Sequence, residues 1–172
     1  MSSLTRRTGI KRHVDDPEKG CLKQRRYSVK VYRLLVREAD SLKGEIDGPE
    51  SAKPIVREYF NQVRDDREHF VALALTTKSQ LIGIAEISTG GTATTIVDPK
   101  VLFRTLLVMG AARFILAHNH PSSDTTPSRE DYLLTKNLRD AGQLLELECL
   151  DHLIIGDGNA AVYSFAENGQ MN

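Results

Sequence analysis

The sequence predicts an α/β domain: a mixed β-sheet with helices packed on its faces. Two observations carry this. Apolar runs of strand length interleave with stretches of helical periodicity, in the order β-α-β-β-α-β-α-β-β, and such an order buries helices against a sheet. Hydrophobic residues make up 40% of the 172 positions, enough for one core and too many for a wholly disordered chain.

Each element has its own signal. YSVKVYRLLVRE (27–38) alternates and is β-branched enough to be a strand, and Gly44, Gly48 and Pro49 mark a connection after it. Ser51 can cap a helix running to about Val63, with Pro54 in its first turn and Ile55, Tyr59 and Val63 as its buried stripe. HFVALALTT (69–77) and LIGIAEIST (81–89), separated by Lys78-Ser79-Gln80, read as an antiparallel hairpin ended by Gly90-Gly91. Asp98-Pro99 is an N-cap with proline at the first helical position, opening a helix to about Ala112. RFILA (113–117) is continuous and apolar, as a central strand covered on both faces should be. A polar loop, HNHPSSDTTPS, leads to a helix over Arg129–Leu144 with Leu133, Leu134, Leu138 and Ala141 on or near one face. Leu147–Gly156 and Ala161–Phe165 supply two final strands around Gly156-Asp157-Gly158. No internal repeat or low-complexity segment interrupts this series.

The composition narrows the function classes. No apolar run approaches the roughly 20 residues needed to span a bilayer. MSSLTRRTGIKRH has basic residues but no apolar stretch behind them, so it does not read as a secretory signal, and the expected location is the cytoplasm. Cys21 and Cys149 form no CxxC or CxH pair, so a metal site must draw on histidines and carboxylates. The chain has no net charge, yet residues 1–26 hold eight Lys/Arg against three Asp/Glu, a local +5 balanced by −5 elsewhere. That segment reads either as a disordered, solvated arm or as a basic arm able to touch nucleic-acid phosphates. The expected organisation is therefore an arm at 1–26, a strand and connection at 27–45, and the main domain at 46–172.

The chemistry concentrates in His118-Asn119-His120-Pro121, followed by Ser128 and Asp131. Histidines at i and i+2, leaving a strand, point to one side, as two ligands of one metal require. Asn119 between them should face the other way and be structural. A carboxylate in the first turn of the next helix can return to them. Three protein ligands with a free fourth position suit catalytic rather than structural zinc, one ion per chain. Taken singly the parts mean less. An HxH alone is common, and Ser128-x-x-Asp131 resembles a capping box, although capping and ligation can share one helix start. Glu86, inside LIGIAEIST, is the candidate proton shuttle; it is either a costly buried carboxylate near a partner or metal, or a strand residue facing solvent. Asp151-His152, a polar pair in an apolar run, reads as support for the core or for a ligand's tautomer rather than as a second metal site. Asp124 reads as a turn former that could also contact substrate.

The HxHP, Ser and Asp spacing with an upstream glutamate resembles the JAMM (MPN+) metalloprotease signature, and its RadC-like branch more closely. HNHPSSDTTPSREDYLLTKNLRDAG, LLELECLDHLIIGDG and the Gly91-Thr92 turn after Glu86 are similar to that branch. The resemblance covers about 46–165. It implies a deaminase-like α/β/α sandwich (the JAB/MPN fold), with zinc on His118, His120 and Asp131, an assisting Ser128, and Glu86 acting through water as general base and then general acid. Ser128 would orient that water or donate to the developing oxyanion. Amide hydrolysis of a peptide or protein is the leading expectation. Metal-dependent DNA processing follows from the branch's name and the basic residues 1–26, and a non-catalytic binding module fits least because every ligand is present. Two departures stand out. Ser123 replaces a glycine of the usual HNHPSG, and the N-terminal helix-hairpin-helix-like region of full-length members is not expected within about 45 residues.

Overall fold

The structure, a computed structural model, describes Ile46 and residues 48–63, 67–90, 97–156 and 161–171. The strand expected at 27–38, the basic arm at 1–26 and the Gly91-Thr92 turn lie outside the described residues. Within them run α1 (Pro49–Gln62), β1 (His69–Leu75), β2 (Leu81–Thr89), α2 (Pro99–Met109), β3 (Arg113–His120), α3 (Arg129–Leu144), β4 (Glu148–Gly156) and β5 (Val162–Ser164).

The strands form one mixed sheet in the order β2-β1-β3-β4-β5. β1 pairs antiparallel with β2 and β3, β3 parallel with β4, and β4 antiparallel with β5. The parallel pair needs a crossover, and α3 provides it. β3 is the middle strand, as its unbroken apolar run predicts.

Strand alternation divides the core into two layers. Phe70, Ala72 and Ala74 of β1 and Phe114 and Leu116 of β3 pack with Leu102 and Leu106 of α2 and Leu138 of α3. Val71, Leu73 and Leu75 of β1 and Ile115 and Ala117 of β3 pack with Ala52 and Val56 of α1 and with Leu153 and Ile155 of β4. With α2 and α3 on one face and α1 on the other, the domain is the expected α/β/α sandwich. Each large apolar side chain so buried stabilises it by about 1.5–3 kcal/mol.

Several local expectations shift. Gly48, not Ser51, is the N-cap of α1; Ser51 sits in the first turn, and its hydroxyl accepts from Gly48 N at 3.3 Å and donates to Gly48 O at 2.9 Å. Pro54 consequently falls one turn deeper, and the fully buried positions are Ala52 and Val56, with Ile55 and Tyr59 only packed at the margin. Helix α2 begins on the Asp98 cap as expected, but Gly110, at φ 72, ends it three residues early. On α3 the buried face is Asp131, Thr135, Leu138 and Gly142, whereas Leu133 is 52% exposed. An apolar periodicity count could not foresee a helix that turns polar residues inward, and the site explains why it does.

Candidate metal centre

β3 continues past its apolar run through His120 because β4 keeps pairing with it: Asn119 faces Ile155 and His120 faces Gly156. Paired backbone holds the polar end of the strand in place. Period 2 puts His118 and His120 on the α2/α3 face, where His118 stacks on Phe70 with ring centroids 5.9 Å apart. Asn119 points away and is structural, as expected. Its Oδ1 accepts from His69 N at 2.7 Å and its Nδ2 donates to Arg67 O at 2.9 Å, tying β3 to the entry of β1.

Asp131 approaches from the start of α3. Ser128 caps the helix through Asp131 N at 3.1 Å, while Asp131 Oδ2 accepts from Ser128 N at 2.7 Å and from the Ser128 hydroxyl at 2.6 Å. The capping box and the convergence on the histidines therefore coexist. Ser128 spends its hydroxyl proton on Asp131, so it supports that carboxylate; the expected donation to water or an oxyanion would need the same proton.

The donor atoms meet. His118 Nε2 lies 3.0 Å from His120 Nε2 and 3.3 Å from Asp131 Oδ1, and His120 Nε2 lies 3.8 Å from Asp131 Oδ2. These three residues are the group among the described residues able to hold a metal ion. His120 Nδ1 donates to Asp124 O at 2.6 Å, which directs its other nitrogen, Nε2, toward the centre. Burial drives His118 down to about 4, against the pull of the Asp131 charge and with a push from His120, so it stands neutral and ligand-competent at pH 7.

The supporting residues divide. Asp151 and His152, adjacent on β4, face opposite sides of the sheet. The Asp151 carboxylate accepts from His152 N, Ala166 N and the Ser164 hydroxyl, at 2.7, 2.9 and 2.6 Å, and so fastens β4 to β5 and the turn after it. It belongs to the core rather than to a ligand. His152 is the one that reaches the site, with Nε2 2.8 Å from His118 Nδ1. Asp124 forms a turn, its Oδ1 accepting from Thr126 N at 2.9 Å; its link to the site is its backbone carbonyl.

Glu86 is not brought to this group. It pairs with Val71, a residue of the α1 face, and its carboxylate takes Tyr59 of α1 at 3.3 Å, His69 at 3.1 Å and Thr89 at 2.8 Å. Burial alone would raise its pKa; the hydrogen bonds from Thr89 and His69, with the His69 charge and Tyr59, outweigh that and hold it low. The sheet thus separates Glu86 from the histidines.

Glu68 is the carboxylate that residue-by-residue reading passed over. Phe70 pairs with His118, and continuing that antiparallel register by two residues sets Glu68 level with His120, on the face shared by Phe70 and His118. The Asn119 bonds keep residues 67–69 beside β3, and Gly90 N donates to Glu68 O at 2.8 Å on the other side. The signal was available: two apolar runs pairing antiparallel must bring the residue before one beside the residue after the other.

Fold and site together define an α/β/α domain with a His-His-carboxylate centre at the exit of its middle strand. The chain belongs to the RadC-like JAB domain family, whose model matches residues 46–170. It is 48% identical over 109 residues to a UPF0758 protein of Desulforamulus reducens, covering 63% of this chain and 47% of the relative. It is 46% identical over 116 residues to one of Syntrophomonas wolfei (66% and 49%), and 40% identical over 131 residues to one of Shouchella clausii (76% and 56%). The chain thus spans about half the length of these curated relatives. Among the described residues no helix is long and apolar enough to cross a membrane.

Proposed function

We propose that this domain is a zinc-dependent hydrolase that cleaves an amide bond in a peptide or an isopeptide linkage. One observation carries the reading: three donors, two from the end of β3 and one from the start of α3, stand 3.0–3.8 Å apart around a common point. Tetrahedral donors about 2.0–2.1 Å from zinc stand roughly 3.3–3.4 Å from one another, so the set fits, and three ligands leave a fourth corner. Membership of the RadC-like JAB family supports the same class. A zinc ion held there would act as a Lewis acid that brings the pKa of water toward about 7.

The chain's own residues supply the remainder. His118 and His120 hold the ion from the strand and Asp131 holds it from the helix start, with Ser128 fixing the carboxylate. Glu68 takes the part of general base and then of general acid toward the leaving amine. Glu86, on the far face, stabilises the α1 side of the sheet.

Metal analysis of the purified chain is expected to give one zinc per molecule, lost in His118→Ala and Asp131→Ala. In a screen over peptides and single-stranded DNA, Glu68→Gln should keep zinc and lose about 10²–10⁴-fold in turnover, while Glu86→Gln keeps both. No zinc uptake sinks the proposal. Loss of turnover in Glu86→Gln alone returns the base role to that residue, and cleavage confined to DNA moves the substrate class to the phosphodiester.

A further inference from the structure

We infer that Thr135 and His152 are positioning residues that fix the tautomer of His118, so that its Nε2 lone pair faces the metal position. The inference rests on the metal reading for its purpose, but its geometry stands alone.

The direction of each hydrogen bond follows from the one before. Thr135 Oγ1 lies 2.6 Å from Asp131 O and 2.6 Å from His152 Nδ1. A hydroxyl has one proton, and a carbonyl can only accept, so Thr135 donates to Asp131 O. The same oxygen must then accept from His152, which places the proton on His152 Nδ1. His152 is fully buried, stacked on Phe165 at 5.0 Å and edge-on to Phe70 at 5.5 Å, apolar surroundings that hold an imidazole neutral. A neutral ring protonated on Nδ1 offers only a lone pair at Nε2. That atom lies 2.8 Å from His118 Nδ1, so His118 is the donor and carries its own proton on Nδ1. Its Nε2 is left bare, 3.0 Å from His120 Nε2 and 3.3 Å from Asp131 Oδ1.

The chain of bonds begins on the Asp131 carbonyl and ends at the Asp131 carboxylate, across one turn of α3. One helical turn therefore delivers a ligand and also dictates the protonation of a second ligand on the neighbouring strand. This accounts for the polar inward face of α3, with Asp131 and Thr135 both buried. His120 is oriented separately, by the Asp124 carbonyl of the loop. The two imidazoles thus have independent supports, one inside the core and one at the surface.

The test uses the 172-residue chain, wild type, Thr135→Val and Thr135→Ser. Long-range ¹H–¹⁵N NMR of the metal-free protein reads the imidazole tautomers, and competition against a chromophoric chelator reads zinc affinity. Wild type is expected to show His118 and His152 protonated on Nδ1. Thr135→Val removes the hydroxyl that orders the chain; it should mix the His118 tautomers and weaken zinc 10- to 100-fold. Thr135→Ser restores the hydroxyl and should restore both readouts. The inference is overturned if wild-type His118 carries its proton on Nε2, or if Thr135→Val leaves tautomer and affinity unchanged. Should Thr135→Val fail to fold, the wild-type spectrum and Thr135→Ser still decide. Zinc failing to bind wild type would end the metal reading, while the spectrum would still judge the tautomer.

Discussion

Ser123 passes through φ 63, a left-handed conformation that glycine adopts freely and other residues adopt at a cost. It is also the position at which the RadC-like pattern usually carries glycine. The conformation costs a side-chain-bearing residue roughly 1–2 kcal/mol, of which glycine's greater freedom in the unfolded chain would return about 0.4–1 kcal/mol. Ser123→Gly is therefore expected to stabilise the protein by about 0.5–1 kcal/mol, seen as a higher urea midpoint at unchanged m-value. A lower midpoint would show that the contacts of Ser123 outweigh the strain. The same single-residue economy marks Asp131: its amide is capped by Ser128, one oxygen closes the capping box, and the other faces His118. Asp151 and His152 make the converse point, since two adjacent polar residues do unrelated work because a strand turns them to opposite faces.

The elements are packed to close tolerances, and the helix that carries part of the site is held at its far end too. On α3, Gly142 lies where the helix meets β3: an added Cβ would come within 2.7 Å of Leu147 O and 3.0 Å of the Phe114 ring. A backbone oxygen cannot swing aside as a side chain can. Gly142→Ala should gain about 1 kcal/mol in helix propensity and lose about 1–3 kcal/mol to overpacking, a net loss of thermal stability. Because α3 also carries Asp131 and Thr135, the shift should weaken zinc binding as well. A variant more stable than wild type would mean that the helix can slide outward at little cost. Helix α2 ends under similarly local control, at a left-handed glycine that the apolar pattern alone had overrun.

At the scale of the whole molecule, the buried imidazoles tie stability to pH. Burial, opposed by Asp131 and assisted by His120, lowers His118 to about 4, and burial lowers His152 well below the ordinary range. The unfolded chain takes up these protons near pH 6.5 and the folded chain only further down. Stability should hold above about pH 6.5 and fall below it, by up to about 1.4 kcal/mol per pH unit for each histidine. The loss through His118 should level off below its folded value of about 4. Urea midpoints in chelator at pH 7.5, 6 and 5 would check this, and a midpoint independent of pH would refute it. Zinc should oppose the fall, since a ligand at 100 times its Kd contributes about 2.7 kcal/mol to the folded state.

Much of this protein is legible in its sequence. Local periodicity and punctuation located the hairpin, the Asp98 cap, the middle strand and the full span of α3, because each depends on neighbours within a few residues. The HxH and Ser-x-x-Asp spacing picked out the residues that meet, because a strand exit and a helix start have fixed geometry. What tertiary structure alone decided is which face each residue shares, and with whom. Nothing local in LIGIAEIST distinguishes a Glu86 that reaches the histidines from one that pairs with Tyr59 and His69 behind the sheet. Nothing local in α3 says that Thr135 faces His152. Both depend on the register between strands distant in sequence, and a shift of one residue moves every side chain to the opposite face.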